Sequence, residues 1–337
     1  MRIAMLAPIA WRTPPRHYGP WELVTSLLTE ALVARGLDVT LFATRDSITA
    51  AKLEAVVPAP YSEDTSVDAK VWEYRHLSHL FARASEFDII HNQADFPAHA
   101  FAPLVDTPIV TTIHGFSSER ILPMYKAFEE RVHFVAISDA DRHPDLAYAA
   151  TIHHGICLDD FPLDPAGSED LVFFGRIHPD KGAREAIAVA RAARRRLHIY
   201  GVVQDADYHR EHVVPALDGE HVVFHGSVGG TDRARALGGA CALLHLISFD
   251  EPFGLSVVEA MACGTPAIAM RRGSMAEIVE DGRNGFLVED QAGAVAAVHR
   301  AASLDRSGIS ASARARFSVE RMAADYIALY RRILEAR

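Results

Sequence analysis

The chain has 337 residues, 49% apolar and 23% charged, close to the averages for soluble globular proteins, and at roughly 100 to 200 residues per domain its length predicts two domains. Its formal net charge is −10, from 34 Lys and Arg against 44 Asp and Glu, without the basic stripe that duplex nucleic acid demands; no nucleic-acid partner is expected. Cys157, Cys241 and Cys263 are too widely spaced for a CxxC pair, so neither a disulfide framework nor a zinc site is read from them and a cytoplasmic setting fits best. No signal-like start and no apolar run near about 18 residues is present, so no stable membrane insertion is expected.

Short apolar runs alternate with longer segments of helical period, the pattern of parallel sheets with crossover helices. In the first half, strands are predicted at Ile3 to Ala7, Val39 to Ala43, Phe87 to His91, Ile109 to Ile113 and Phe134 to Ile137. The first helix is expected from Pro20, since proline suits a first helical position, to Arg35-Gly36, where glycine closes it. The stretch Ile152 to Asp170 is turn-rich and aperiodic, and it holds the boundary between an N-terminal domain, 1–155, and a C-terminal domain, 156–317. Strands then resume at Leu171 to Phe174, Leu197 to Tyr200, Val222 to His225, Ala242 to Leu246, Pro266 to Ala269 and Phe286 to Val288. The Ala-rich tail predicts two or three helices, the last of them, in 318–337, crossing back to the first domain. The fold class is α/β, two Rossmann-like doubly wound parallel-sheet domains, whose ligands bind at the carboxyl ends of the strands.

The most informative segment runs from Glu251 through Phe253-Gly254-Leu255-Ser256 to Glu259 and Gly264. It follows a strand and has helical spacing from Gly254, so Glu251 is placed in the loop and Glu259 one turn inside. Free backbone N–H groups and the positive dipole end at Gly254, Leu255 and Ser256 suit a phosphate, while the two carboxylates can accept hydrogen bonds from sugar hydroxyls. A nucleotide sugar satisfies both; alternatively Glu259 only stabilises the first turn and Glu251 is a solvated acid. Gly175-Arg176 and Lys181-Gly182 leave the first strand of the second domain. Arginine offers a planar fork to phosphate oxygens and lysine a compact cation, so the pair could neutralise a diphosphate.

These residues resemble glycosyltransferase family 4, retaining enzymes of the GT-B architecture, in a short bacterial-type form. Glu251 to Glu259 is similar to the family's Glu-x7-Glu motif, and Gly175-Arg176 with Lys181-Gly182 to its diphosphate clamp. Tyr18-Gly19-Pro20-Trp21-Glu22 stands at the place of the Gly-Gly turn, Thr112-Ile113-His114-Gly115 at the His-bearing strand end, and His154-Gly155-Ile156-Cys157 at the linker. Gly273-Ser274-Met275-Ala276-Glu277 and Asn284-Gly285-Phe286-Leu287-Val288 complete the likeness. The resemblance implies a hexosyltransferase moving sugar from a nucleotide diphosphate, with UDP slightly favoured over GDP, to an acceptor hydroxyl, with no metal and no other cofactor. It implies that Arg176, Lys181, Glu251 and His114 are catalytic. It further implies donor contacts from Gly19, Gly175, Phe253, Gly254, Leu255, Ser256 and Glu259, with Gly226, Ser227 and Val228 reading the nucleobase. Two positions depart from the pattern: Pro20 replaces a second glycine and has no N–H, and His154 replaces asparagine at a position not expected at the chemistry.

Trp11, Arg12, His17 and Tyr18 follow the first strand and form the candidate acceptor loop. The first 150 residues carry 13 Lys and Arg against 19 Asp and Glu, which argues against an anionic membrane surface and favours a small soluble or glycan acceptor. Asp139-Ala140-Asp141 and Asp205-Ala206-Asp207 spell a metal-binding Asp-x-Asp, but each is expected to precede a helix, where aspartate is a routine cap. His76 and His79 share a helix face without a third ligand and read as solvated. Competing functions are a phosphorylase or nucleotide-sugar epimerase of the same architecture, or a non-catalytic nucleotide-sugar-binding protein.

Overall fold

In the computed structural model, which describes residues 1–16, 18–64, 66–115 and 119–336, the chain divides into two compact units, one made of Met1–Gly155 with the segment from Val319 onward, the other of Ile156–Ser318.

The first unit is built on seven strands: β1 (Arg2–Leu6), β2 (Asp38–Thr44), β3 (Lys52–Val57), β4 (Ile89–Asn92), β5 (Ile109–Ile113), β6 (Val132–Ala136) and β7 (Tyr148–Thr151). They lie in the order β3-β2-β1-β4-β5-β6-β7, and every pairing is parallel. Strands covered on both faces read as continuous apolar runs, which is why β1, β2, β4, β5 and β6 stand out in the sequence. The edge strands β3 and β7 were not expected, because most of their residues are only half-buried and their sequences carry no such run. Helix α1 (Pro20–Ala34) starts on its proline with Gly19 as cap; α2 (Ala69–Phe81) is capped by Asp68, which accepts from the Val71 amide; α3 is the short Leu122–Lys126.

In the second unit, β8 (Leu171–Phe174), β9 (Leu197–Tyr200), β10 (Val222–Gly226), β11 (Ala242–His245), β12 (Ala267–Met270) and β13 (Gly285–Val288) form a sheet in the order β10-β9-β8-β11-β12-β13, again parallel throughout. Its helices are α4 (Ala183–Ala193), α5 (Ala206–Tyr208), α6 (Gly230–Gly238), α7 (Leu255–Ala262), α8 (Met275–Ile278), α9 (Gln291–Ala301) and α10 (Arg306–Arg316). The last helix, α11 (Val319–Glu335), belongs to the first unit. There Tyr330 Oη lies 2.5 Å from His91 Nδ1 and Tyr326 Oη 2.7 Å from Thr112 Oγ1, with all four side chains buried. Buried polar groups hold stability only when they are paired, and these pairs fix the helix against the ends of β4 and β5.

In each sheet the strand order reverses once, between β1 and β4 and between β8 and β11. A crevice opens outside the carboxyl ends of the strands at such a switch point.

Candidate active site

In the second unit, two loops flank the switch point. One leaves β8 as Gly175-Arg176 and ends at Lys181-Gly182; the other leaves β11 and runs to Gly254. Gly182, at φ 78°, brings them together: a Cβ there would stand 2.0 Å from the Leu246 carbonyl oxygen, and the Ser248 amide donates to the Asp180 carbonyl at 2.9 Å. Only glycine combines a left-handed backbone with that approach. Lys181 Nζ thereby reaches Glu251 Oε2 at 2.9 Å and lies 4.4 Å from the centre of the Phe249 ring.

Glu251 is largely buried, with His245 Nε2 3.2 Å from the same oxygen. Burial alone would push its carboxyl up, but His245 and then Lys181 hold it down, at about 2; it is a carboxylate at every physiological pH. A second turn buttresses the loop. At Gly273, φ 53°, a Cβ would meet the Glu251 carbonyl at 2.3 Å, the Ser274 amide donates to that carbonyl at 2.8 Å, and Ser274 Oγ donates to the Phe253 carbonyl at 2.9 Å.

Helix α7 starts immediately beyond. Its cap is Gly254, which has no side chain to offer. The first intrahelical bonds are made by the Val257 and Val258 amides to the Gly254 carbonyl, so the Leu255 and Ser256 amides precede them and carry the positive end of the helix. Arg176 is held by Gln204 and lies 3.4 Å from Asp180 Oδ2. At the far end of the sheet, Gly226 closes β10 with its carbonyl accepting from the Gly201 amide at 2.8 Å, Ser227 is exposed and Val228 half-buried. The preceding His225 ring stacks on Tyr200 at 4.5 Å.

One donor expectation needs correction, and a second expected donor residue is already paired within the protein. Phe253 is 2% exposed and packs edge-on against Phe317, so its side chain supports the loop from the core and does not face a ligand. Glu259 is 1% exposed and its Oε2 accepts from Arg233 of α6, whose guanidinium also covers the Phe174 ring at 4.8 Å. Burial raises the Glu259 carboxyl and Arg233 pulls it back, leaving it above the ordinary range. For Glu251 the alternative of a solvated loop acid falls, since it is largely buried and paired with Lys181.

In the first unit, His114 Nε2 is 2.6 Å from Gln93 Oε1 and its ring stacks on Trp21 at 5.3 Å. Burial pushes the imidazole down to about 3, so it is neutral at pH 7 and donates through Nε2 to the glutamine oxygen. Its Nδ1 is 3.4 Å from His154 Nε2; His154, set aside in the sequence as remote from the chemistry, is the neighbour of the candidate catalytic histidine. Gly19 is buried at the start of α1, where Pro20 takes the first helical position. The Trp11 amide donates to Glu22 Oε1 at 3.1 Å, Trp11 meets Tyr18 edge-on at 6.4 Å, Arg12 is half-buried, and His17 lies outside the described residues.

His76 is not on a solvated face: it is 2% exposed, beside the buried Leu77, Leu80 and Phe81, and its Nε2 donates to the Ala7 carbonyl at 3.0 Å. Asp205 does cap a helix, accepting from the Tyr208 amide, but Asp139 lies in a turn with no helix after it and accepts from Thr151 Oγ1 at 2.6 Å. Sequence reasoning missed His245 and Arg233. His245 ends β11 as His114 follows the end of β5, so a histidine at the carboxyl end of a strand is the signal that marks it. Arg233 offered none, since its partner is 26 residues away.

The family model described as Glycosyltransferase Family 4 matches residues 22–209, and that described as Glycosyl transferases group 1 matches residues 168–303. A glycogen synthase of Mycobacterium tuberculosis is 27% identical, over 97% of this chain and 91% of its own. Among solved structures, sucrose-phosphate synthase from Thermosynechococcus elongatus superposes with a TM-score of 0.79 at 21% identity, covering 100% of both chains. Anabaena Alr3699/HepE in complex with UDP-glucose does so at 0.74 and 18% identity, again over 100% of both. At that identity the superpositions speak for the fold, two Rossmann-like parallel-sheet domains of the GT-B type, and no described helix is long and apolar enough to cross a membrane. With the family model covering more than half of it, the chain belongs to glycosyltransferase family 4.

Proposed function

We propose that this glycosyltransferase transfers a hexose from a nucleotide diphosphate sugar to an acceptor hydroxyl with retention of anomeric configuration and without a metal ion. The observation that carries the reading is the pairing of Lys181 with Glu251 beside a helix start with no side-chain cap, at the switch point of a doubly wound sheet. As the bond from the anomeric carbon to the leaving phosphate breaks, negative charge grows on the diphosphate and positive character on the sugar ring. Arg176, Lys181 and the Leu255 and Ser256 amides are donors fixed before the reaction begins, and such preorganised groups are worth more than the same groups in water. Glu251, ionised between His245 and Lys181, accepts from donor-sugar hydroxyls, and Glu259 from the ribose. Gly175 and Gly226-Ser227-Val228 line the donor's path, and Gly19 supplies a backbone amide. His114, neutral and oriented by Gln93, donates or accepts at the transferred sugar without adding charge. The Anabaena complex with UDP-glucose supports UDP over GDP as the carrier, and the free thiols Cys157, Cys241 and Cys263 suit a reducing cytoplasm.

The test is turnover of UDP- and GDP-hexoses with and without EDTA, and NMR of the anomeric proton in the product. Retention, persistence in EDTA and preference for UDP are expected. Inversion, or loss of turnover restored only by a divalent ion, would overturn the reading, and conversion of the donor without an acceptor would replace it with an epimerase.

A further inference from the structure

The first unit has its own crevice at the β1/β4 switch point, a cavity of about 500 Å³ bordered by residues 7–11 after β1, the turn 18–22 and residues 94–97 after β4. Its wall presents the flat rings of Trp11, Trp21 and Tyr61, and its carboxyl and imidazole groups are those of Glu22, Glu73, Asp95 and His76, with no lysine or arginine among the described lining residues. The two arginines of the adjoining loop do not compensate: Arg12 is not part of the wall, and Arg16 is held by Asp46 and Glu63.

The carboxylates face one region. Tyr61 is held above its ordinary range by burial, then by the charge of Glu73 and the hydrogen bond it donates to it, and also by the charge of Glu22. His76 is the independent sign of a ligand. It is 98% buried (2% exposed), its Nε2 is committed as donor to the Ala7 carbonyl, and its Nδ1, the lone-pair nitrogen of that tautomer, has no partner. A buried acceptor left unpaired is uncommon. Aromatic faces suit the C–H faces of a saturated ring, and carboxylates with a lone-pair nitrogen suit its hydroxyl protons.

Resting on the glycosyltransfer proposed above, we infer that this cavity is the acceptor subsite and that it selects an uncharged, hydroxyl-rich ring against one carrying phosphate. A phosphate ester would bring negative charge into a wall of acidic side chains with no neutralising cation among its described residues, and like charges brought together discriminate between otherwise equal ligands.

The probe is tryptophan fluorescence of the full chain, since two of its three tryptophans, Trp11 and Trp21, border the cavity. Glucose and glucose 6-phosphate are titrated separately, and UDP binding is followed by calorimetry in the same preparation. Saturable change with glucose, at least about tenfold weaker with the phosphate ester, is expected. In the E22Q/E73Q double variant that gap should narrow to about threefold or less, and in A10F, which fills the cavity, the glucose response should vanish while UDP binding persists. Equal affinity for the two sugars in the wild type, or an unchanged glucose response in A10F, overturns the inference. No glucose response alongside intact UDP binding overturns it too, and leaves the donor assignment standing; loss of UDP binding in the wild type would instead strike the proposed function.

Discussion

Lys181 Nζ stands 2.9 Å from Glu251 Oε2, so the cation expected to meet the donor diphosphate is already paired with the carboxylate expected to hold the donor sugar. With His245, Lys181 holds the Glu251 carboxyl ionised in a site where burial alone would push it up. The consequence is that neither can be removed alone without disturbing its partner. Lys181→Ala should lower turnover by about 100- to 1000-fold, the usual loss for one charge-stabilising donor. Calorimetric UDP affinity should fall by less than about tenfold, because the interaction is stronger in the transition state than in the ground state. Arg176→Ala should behave alike. Turnover within about threefold of wild type in either variant would remove that side chain from the clamp.

Gly182 supplies a stability test of the same loop. Alanine there adds a left-handed non-glycine residue and a Cβ 2.0 Å from the Leu246 carbonyl. Strain of that kind costs about 1 to 3 kcal/mol before the clash is counted, and the backbone carbonyl cannot step aside as a side-chain tip can. Gly182→Ala should therefore lower the Tm by several degrees and displace Lys181 from Glu251, reducing turnover as well. A variant with wild-type Tm would show that the two loops do not pack as described.

The parts of the fold that the sequence made legible are those whose physics is local. Buried central strands are continuous apolar runs, so β5, β8 and β9 were located residue for residue, and Pro20 and Gly36 bracket α1. The edge strands β3 and β7 were invisible because their half-buried sequences carry no continuous apolar run. At the site, Arg176, Lys181 and Glu251 lie in two loops at the β8/β11 switch point, as their positions after strands implied. Partners were not legible: Arg233 for Glu259, Gln93 and His154 for His114, and Ala7 for His76 are set by tertiary approach. The polar stretch around His76 read as solvated because only one face of α2 is buried, and periodicity does not say which polar residue sits on it.

Glu22 should leave a signature in the pH dependence of stability. Burial raises its carboxyl to about 7, against the bonds it accepts from its own amide and that of Trp11. A carboxyl whose folded pKa is raised binds more protons in the folded state than in the unfolded one between about 4.5 and 7, so stability falls as pH climbs through that window. The effect is bounded at about 3 kcal/mol. Glu22→Gln keeps an oxygen for the Trp11 amide and removes the titration. The urea midpoint of the variant should exceed that of wild type at pH 8 and the gap should close toward pH 5; parallel curves at both pH values would contradict the burial of this carboxyl.

Arg233 tests Glu259 in the other direction. The carboxyl is raised despite the arginine, so taking the guanidinium away removes what opposes desolvation and raises it further. In Arg233→Ala the folded protein must either hold an unpaired buried carboxylate, which costs about 3 to 5 kcal/mol, or take up a proton. Protonation becomes easier as pH falls, so the deficit relative to wild type should be small near pH 5 and grow toward pH 8, and urea unfolding at the two values reads it directly. Glu259→Gln added to Arg233→Ala removes the charge itself and should recover most of the stability lost at pH 8. If Glu259 also takes the ribose hydroxyls, the double variant should remain weak in UDP affinity while regaining its fold, which separates the structural part of the pair from its part in binding. Recovery of both together would mean that Glu259 serves the fold alone.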